Sequence, residues 1–162
     1  MYDYQFDDDA FAAWVLIHQT WYVMRKSEER LLAKVGLTPE KNELLWVASD
    51  HPSPLHPAEI SRAVFRENQS IAGLLNRMES AGLVTRVPKR KGRPFTEIKM
   101  TVKGQELRNQ AKERDLTHIS NIMSCLSAGE IKQLTQLLRK IRQSALDELR
   151  IELLPPPSWT HT

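Results

Sequence analysis

The sequence predicts a mainly helical chain interrupted once, past its middle, by a small β-hairpin. Three observations carry that prediction. From Glu59 to Met78 two short amphipathic stretches follow each other, and in the second, Gln69 to Met78, residues Ile71, Leu74, Leu75 and Met78 recur at the spacing that buries one face of a helix. After Gly82 the pattern changes to strand-like alternation, Leu83–Val87 and then Phe95–Met100, joined by seven residues from Pro88 to Pro94 that contain Gly92. Long apolar-periodic segments flank this block on both sides, about residues 10–34 and 105–152. Helix, turn, helix and hairpin in that order is a winged helix-turn-helix, here held between terminal helices.

Each element has local reasons. Residues 1–9 hold Asp3, Asp7, Asp8 and Asp9 and read as a mobile acidic lead-in whose charges favour the N-terminus of the next helix. That helix, from Ala10 to about Lys34, has two stripes, one with Phe11, Trp14, His18, Trp21 or Tyr22, and Arg25, the other with Ala13, Ile17, Thr20, Met24 and Leu31. Two stripes imply two partners. Gly36 ends it. Thr38 and Pro39 supply an N-cap and a first helical residue for the next helix, whose core face is Leu44, Leu45 and Val47. The segment from Asp50 to Pro57 contains Pro52, Pro54 and Pro57 and is a turn-rich connection.

Beyond the hairpin, Thr101 caps a helix with Leu107, Ala111, Leu116, Ile119, Ile122, Met123 and Leu126 at helical intervals. Ser127 and Glu130 form a capping box for the last helix, which carries Ile131, Leu134, Leu138, Ile141, Ala145 and Leu149 and is expected to end at Pro155–Pro157, leaving a tail from 153 to 162. The apolar surface on the terminal helices exceeds what one small winged helix covers. A homodimer built mainly on residues 10–25 and 116–152 follows as the expectation.

Charge points to a partner. The net charge of the 162 residues is only +3, yet residues 51–103 carry ten Lys or Arg against four Asp or Glu, net +6, while residues 1–50 carry five against nine, net −4. A basic segment that coincides with a helix-turn-helix is the footprint of phosphate capture. The outward face of the second helix offers Gln69, Ser70, Gly73, Asn76 and Arg77, with Arg66 and Asn68 just before it, and the hairpin adds Arg86, Lys89, Arg90, Lys91 and Arg93. Gln and Asn match base edges; Ser and Arg match phosphates. These twelve residues are the candidate contacts to double-stranded DNA. Arg93, between Gly92 and Pro94, is the candidate for a minor groove.

The blocks Leu37-Thr-Pro-Glu40 with Leu44-Leu45, Ala58-Glu-Ile-Ser-Arg62, Ser70-Ile71, Leu75-Asn-Arg-Met-Glu-Ser-Ala-Gly-Leu-Val84 and Met100-Thr-Val-Lys-Gly-Gln-Glu-Leu107 together resemble the multiple antibiotic resistance regulator (MarR) family. Their order and spacing carry the resemblance, over residues 37–107, and the flanking helices fit that family's dimer-forming ends. The resemblance implies a ligand-responsive repressor. The expected twofold dimer implies an inverted-repeat operator with half-sites centred roughly 10 base pairs apart, and the lone Cys125 with no basic-then-apolar leader pattern leads to the expectation of a cytoplasmic protein. In the family, effectors bind between the dimer helices and the winged helix, which raises Trp14, His18, Trp21, Tyr22, Arg25 and Trp46 as a pocket for a small aromatic anion or phenol. Against it, an aromatic stripe at helical spacing is more often core or dimer contact. Two departures stand out: Lys91-Gly92-Arg93 replaces the family's usual acid before the wing arginine, and Gly73 occupies a place where a larger polar residue is common.

Other classes find little in the chain. No Gly-rich phosphate loop, Gly-x-Ser-x-Gly or paired carboxylate motif argues for an enzyme. No cofactor is expected. His51 with His56, or His118 with Cys125, lacks the partners of a four-ligand metal site. The single cysteine, Cys125, excludes an internal disulfide; with Arg114 and His118 on its helix it could serve as a redox switch, but a buried small residue on an apolar helix face is the commoner case. No apolar run approaches the roughly 20 residues of a membrane span. A winged-helix adaptor that binds protein is the alternative function.

Overall fold

A computed structural model describes residues 1–51, 55–88 and 96–153 of the chain. Its elements run α1 (Asp9–Ala33), α2 (Pro39–Asp50), α3 (Pro57–Ala63), α4 (Asn68–Ser80), β1 (Val84–Pro88), β2 (Thr96–Met100), α5 (Val102–Met123) and α6 (Ala128–Glu148). β1 and β2 pair antiparallel with Val84 opposite Met100 and Arg86 opposite Ile98. This is the winged helix-turn-helix, with α1 before it and α5 and α6 after it. Among the described residues, no helix is long and apolar enough to cross a membrane.

The core is one cluster gathered around α2, which packs against α1, α3, α4, α5 and β2. Leu44, Leu45 and Val47 on α2, Ile60 on α3 and Ile71 and Met78 on α4 are wholly buried, with Leu74 and Leu75 nearly so. The apolar periodicity of α2 and α4 therefore faces inward as expected. Burial of this face fixes α4 in azimuth, so its polar side is turned out by the same packing.

Four helices end with one backbone device. Leu37 N–H donates to Leu32 O, Arg66 N–H to Ser61 O, Leu83 N–H to Met78 O and Ile151 N–H to Leu146 O, at 2.9 to 3.1 Å. Each is preceded by a residue in the left-handed region: Gly36 at φ 74°, Phe65 at 51°, Gly82 at 70° and Arg150 at 55°. This six-to-one closure satisfies carbonyls that the helix end leaves open. Glycine fits the conformation without penalty; Phe65 and Arg150 adopt it against the clash of Cβ.

Several boundaries differ from the sequence expectation. The first of the two amphipathic stretches was expected to be helical over Ile60–Val64, but α3 starts three residues earlier, because Pro57 occupies the first helical position and His56 with Glu59 forms a capping box, the His56 N–H donating to Glu59 Oε2 at 2.9 Å. α6 stops at Glu148, well before the Pro155–Pro157 run that was expected to end it, since Arg150 closes it first. Those prolines, like Pro52, Pro54 and the hairpin tip from 89 to 95, lie outside the described residues. α5 ends at Met123, so Cys125 falls in the turn between α5 and α6 and is exposed, correcting its reading as a buried helix residue. The turn-rich connection also does more than turn: Ile98 N–H donates to Leu55 O at 2.8 Å, adding a bridge at the open edge of β2. Residues 1–6 run back beside α1, where Gln19 Nε2 donates to the Tyr2 carbonyl at 3.2 Å.

Candidate nucleic-acid interface

The outer side of α4 forms the floor of a shallow groove of about 380 Å³, lined by Glu40, Arg66, Gln69, Ser70, Gly73, Leu74 and Arg77. Five of the twelve sequence-predicted contact residues therefore share one surface. Asn68, Gln69, Ser70, Asn76 and Arg77 are exposed, and Gly73 lies between them with nothing nearer than Arg77 Nη1, 3.5 Å from where a Cβ would stand. A helix that presents amides, a hydroxyl and a guanidinium around a glycine can bring its backbone close to a base-pair edge.

Arg66 and Arg86 are held by the protein itself. Arg66 sits in the turn between α3 and α4, with its backbone pinned by Ser61, whose hydroxyl donates to the Arg66 carbonyl. Its Nη2 lies 3.3 Å from Glu43 Oε2 and 4.0 Å from Glu40 Oε1. Arg86 turns its side chain to α4, donating from Nη2 to the Ala72 carbonyl at 3.3 Å and lying 3.7 Å by Nε from Glu79 Oε2. Arg86 thus ties β1 to α4. Lys89, Arg90, Lys91 and Arg93 lie outside the described residues. At the base of the hairpin, Glu97 pairs with Lys99 at 3.5 Å.

Thr101 joins the wing to α5. Its Oγ1 donates to the Gly82 carbonyl at 2.7 Å and accepts from Gly104 N–H at 3.0 Å, capping α5. Gly104 is buried, and a Cβ there would stand 2.2 Å from the Leu83 carbonyl oxygen. The start of α5 therefore touches the end of the α4–β1 turn backbone to backbone. The sequence reading missed this contact, although a lone glycine in the first turn of a predicted helix is the signal for it.

A second cavity, of about 270 Å³, opens between α1, α2 and α5. Of the six residues predicted for an effector pocket, it brings together Arg25 and Trp46, and adds Glu28, Asn42, Glu43, Arg108 and Asp115, which the sequence reading did not single out. Trp14, His18, Trp21 and Tyr22 lie instead on the open surface of α1, with the Trp14 and His18 rings tilted against each other at 4.6 Å and Trp21 edge-on to Tyr22 at 5.6 Å. They are not core of this protomer. The missed residues are polar positions on helices otherwise read for their apolar stripes.

The electrostatics of this cavity are set by burial and pairing. Asn42 is 7% exposed, and its Nδ2 donates to Asp115 Oδ2 at 2.8 Å while its Oδ1 has no hydrogen-bond donor among the described residues. Arg108, also 7% exposed, lies 3.7 Å by Nη1 from the same Asp115 Oδ2. Burial pushes Glu28 above the usual Glu value, against the pull of Arg25, and Asp115 and Glu43 add like charge. Glu40 goes the other way. Burial opposes its charge, but hydrogen bonds from its own backbone and from Thr38, together with Arg25, outweigh that and hold it below the usual value. Arg25 is thus shared, its Nη1 3.4 Å from Glu28 Oε2 and its Nη2 bonded to Glu40 Oε1.

No protein-family model matches the chain. The regulator PecS of Dickeya dadantii is 25% identical over 117 residues, 71% of this chain and 70% of PecS. Among solved structures, AbsC, a MarR family transcriptional regulator from Streptomyces coelicolor, superposes with a TM-score of 0.78 at 19% identity, covering 88% of this chain and 98% of AbsC. The chain has the MarR fold. An organohalide-sensing transcriptional regulator with 2,4-dichlorophenol bound shares that fold with a TM-score of 0.82 at 21% identity, covering 97% of this chain and 98% of the other. So does Staphylococcus aureus MepR in its complex with DNA, at 0.76 and 21% identity, covering 80% and 96%. The MarR fold accounts for the order of elements found here, with α3 and α4 as the helix-turn-helix and β1 and β2 as the wing.

Proposed function

We propose that the protein is a MarR-type transcription regulator, a homodimeric repressor that binds an inverted repeat in double-stranded DNA and is released by a small aromatic anion or phenol. The observation that carries the DNA reading is the groove on α4. Its exposed Gln69, Ser70 and Arg77 surround Gly73, in the segment of the chain that holds the excess of positive charge. Gln69 and Asn76 read bases, Ser70 and Arg77 hold the backbone, and the basic hairpin lies along the flanking phosphates. MepR, which shares this fold, is known in complex with DNA.

The effector reading rests on the α1/α2/α5 cavity, where Arg25 supplies a cation and Trp46 a flat apolar wall. A MarR-fold neighbour binds 2,4-dichlorophenol, and a phenol or small aromatic acid is the class that this wall and charge suit. In this reading, Trp14, His18, Trp21 and Tyr22 contribute through the partner protomer or its approach, since they do not reach the cavity within one chain.

Selection of bound fragments from genomic DNA tests the function as a whole. The expected result is recovery of an inverted repeat with half-sites roughly 10 base pairs apart, and a binding constant that falls linearly with salt on logarithmic axes. Retention that ignores salt and enriches no sequence would instead favour the protein-binding adaptor.

A further inference from the structure

We propose that Glu40 and Glu43 form an ion-pair relay that couples the α1/α2/α5 cavity to Arg66 at the entrance to α4. The inference rests on the proposed DNA-binding function and assigns a route for its regulation. Arg25 lines the cavity, and Arg66 lines the DNA-facing groove. Between them stands one carboxylate oxygen: Glu40 Oε1 accepts from Arg25 Nη2 and lies 4.0 Å from Arg66 Nη2. Glu43 spans the same wall, since it lines the cavity while its Oε2 holds Arg66 at 3.3 Å. Two guanidinium groups therefore compete for Glu40, one from each side.

The competition gives the relay its sign. An anion that enters the cavity and pairs with Arg25 leaves Glu40 without its main partner, so Glu40 turns its charge wholly on Arg66. Arg66 is then withheld from phosphate, and DNA binds less tightly. In reverse, a phosphate that draws Arg66 away leaves Glu40 to Arg25 and closes Arg25 to an incoming anion. Reciprocity of this kind is required of any coupling between two binding sites. The geometry suits exchange. The Arg66 side chain is 35% exposed, that of Glu40 36% and that of Arg25 20%, so none of the three is fully buried and the Arg66 pair is the more open to exchange. The Arg66 backbone, by contrast, is fixed by its bonds to Ser61 and by the left-handed Phe65, so that only the side chain moves.

The experiment measures binding of a mixed-sequence DNA duplex at low salt, because a phosphate contact needs no cognate sequence. Glu40→Gln is expected to bind the duplex more tightly than wild type, and Arg66→Ala to erase that gain, so that Arg66→Ala and the Glu40→Gln/Arg66→Ala double variant bind alike. Arg25→Gln, which imitates neutralisation by a ligand, is expected to weaken binding about fivefold in wild type and not at all beside Glu40→Gln. A gain from Glu40→Gln that survives in the Arg66→Ala background is only the long-range effect of removing an acid and overturns the relay. So does weakening by Arg25→Gln that persists beside Glu40→Gln. Melting curves of each variant identify one that fails to fold; if that is Arg25→Gln, the Glu40 and Arg66 pair alone decides. Wild-type protein that shows no salt-dependent binding defeats the DNA-binding reading itself, whereas salt-dependent binding with unchanged Glu40→Gln affinity defeats only the relay.

Discussion

Single residues show where sequence type reveals backbone and where it does not. Gly36 and Gly82 follow apolar-periodic runs, and their left-handed φ was legible because glycine is the residue that adopts it freely. Phe65 and Arg150 perform the same closure, and nothing in a phenylalanine or an arginine announces it. Gly73 is the opposite case: a glycine inside a helix with no positive φ and no neighbour that a methyl group would strike. Its presence therefore has no packing reason. Gly73→Ala is expected to raise stability by about 1 kcal/mol through helix propensity, seen as a melting temperature higher by roughly 2–4 °C. The same substitution should weaken DNA binding, because it places a methyl group on the floor of the groove among Gln69, Ser70 and Arg77. Tighter DNA binding together with higher stability would show that Gly73 is not a point of close approach.

Whole elements were legible where periodicity and capping agree. α2, α4, both strands and α6 were visible because an N-cap or a glycine stop brackets a clear apolar period, as Thr38 and Ser127 do by accepting from the third residue beyond. The start of α3 was not, because His56 is a rare capping residue and the prolines before it argue for a turn. The outward face of α4 was legible for the same reason that α4 was: once one face is core, the other is surface. The cavity side was not, since Asn42, Arg108 and Asp115 come together from α2 and α5 only when those helices pack. Packing of α5 in turn depends on Gly104. Gly104→Ala drives a methyl group into the Leu83 carbonyl, which is backbone and cannot swing aside. The expected loss is about 1–3 kcal/mol, read by chemical denaturation. The turn it displaces joins α4 to the wing, so DNA affinity should fall as well. A Gly104→Ala protein as stable as wild type would mean that α5 shifts at no cost.

At the scale of the molecule, the distribution of apolar surface argues for a second copy. α6 is exposed along its length except for Leu146, and it presents Leu134, Leu137, Leu138 and Ile141 to solvent. Leu116 and Ile119 on α5 and Trp14 and Trp21 on α1 are more than half exposed as well. A helix of 21 residues whose apolar face, Leu146 apart, stays exposed among the described residues gains little from packing within its own chain. In the proposed homodimer a twofold partner would supply the missing face, with both protomers contributing the same helices to it. Leu138→Glu places a charge in the middle of that face, and light scattering is expected to show wild type as a dimer and the variant as a monomer. Because each protomer carries one α4 and one basic hairpin, dissociation should also reduce the slope of DNA affinity against salt by about half. A Leu138→Glu protein that remains dimeric would move the interface off α6. A wild-type monomer that still binds DNA with a full salt slope would leave these apolar faces to a different protein.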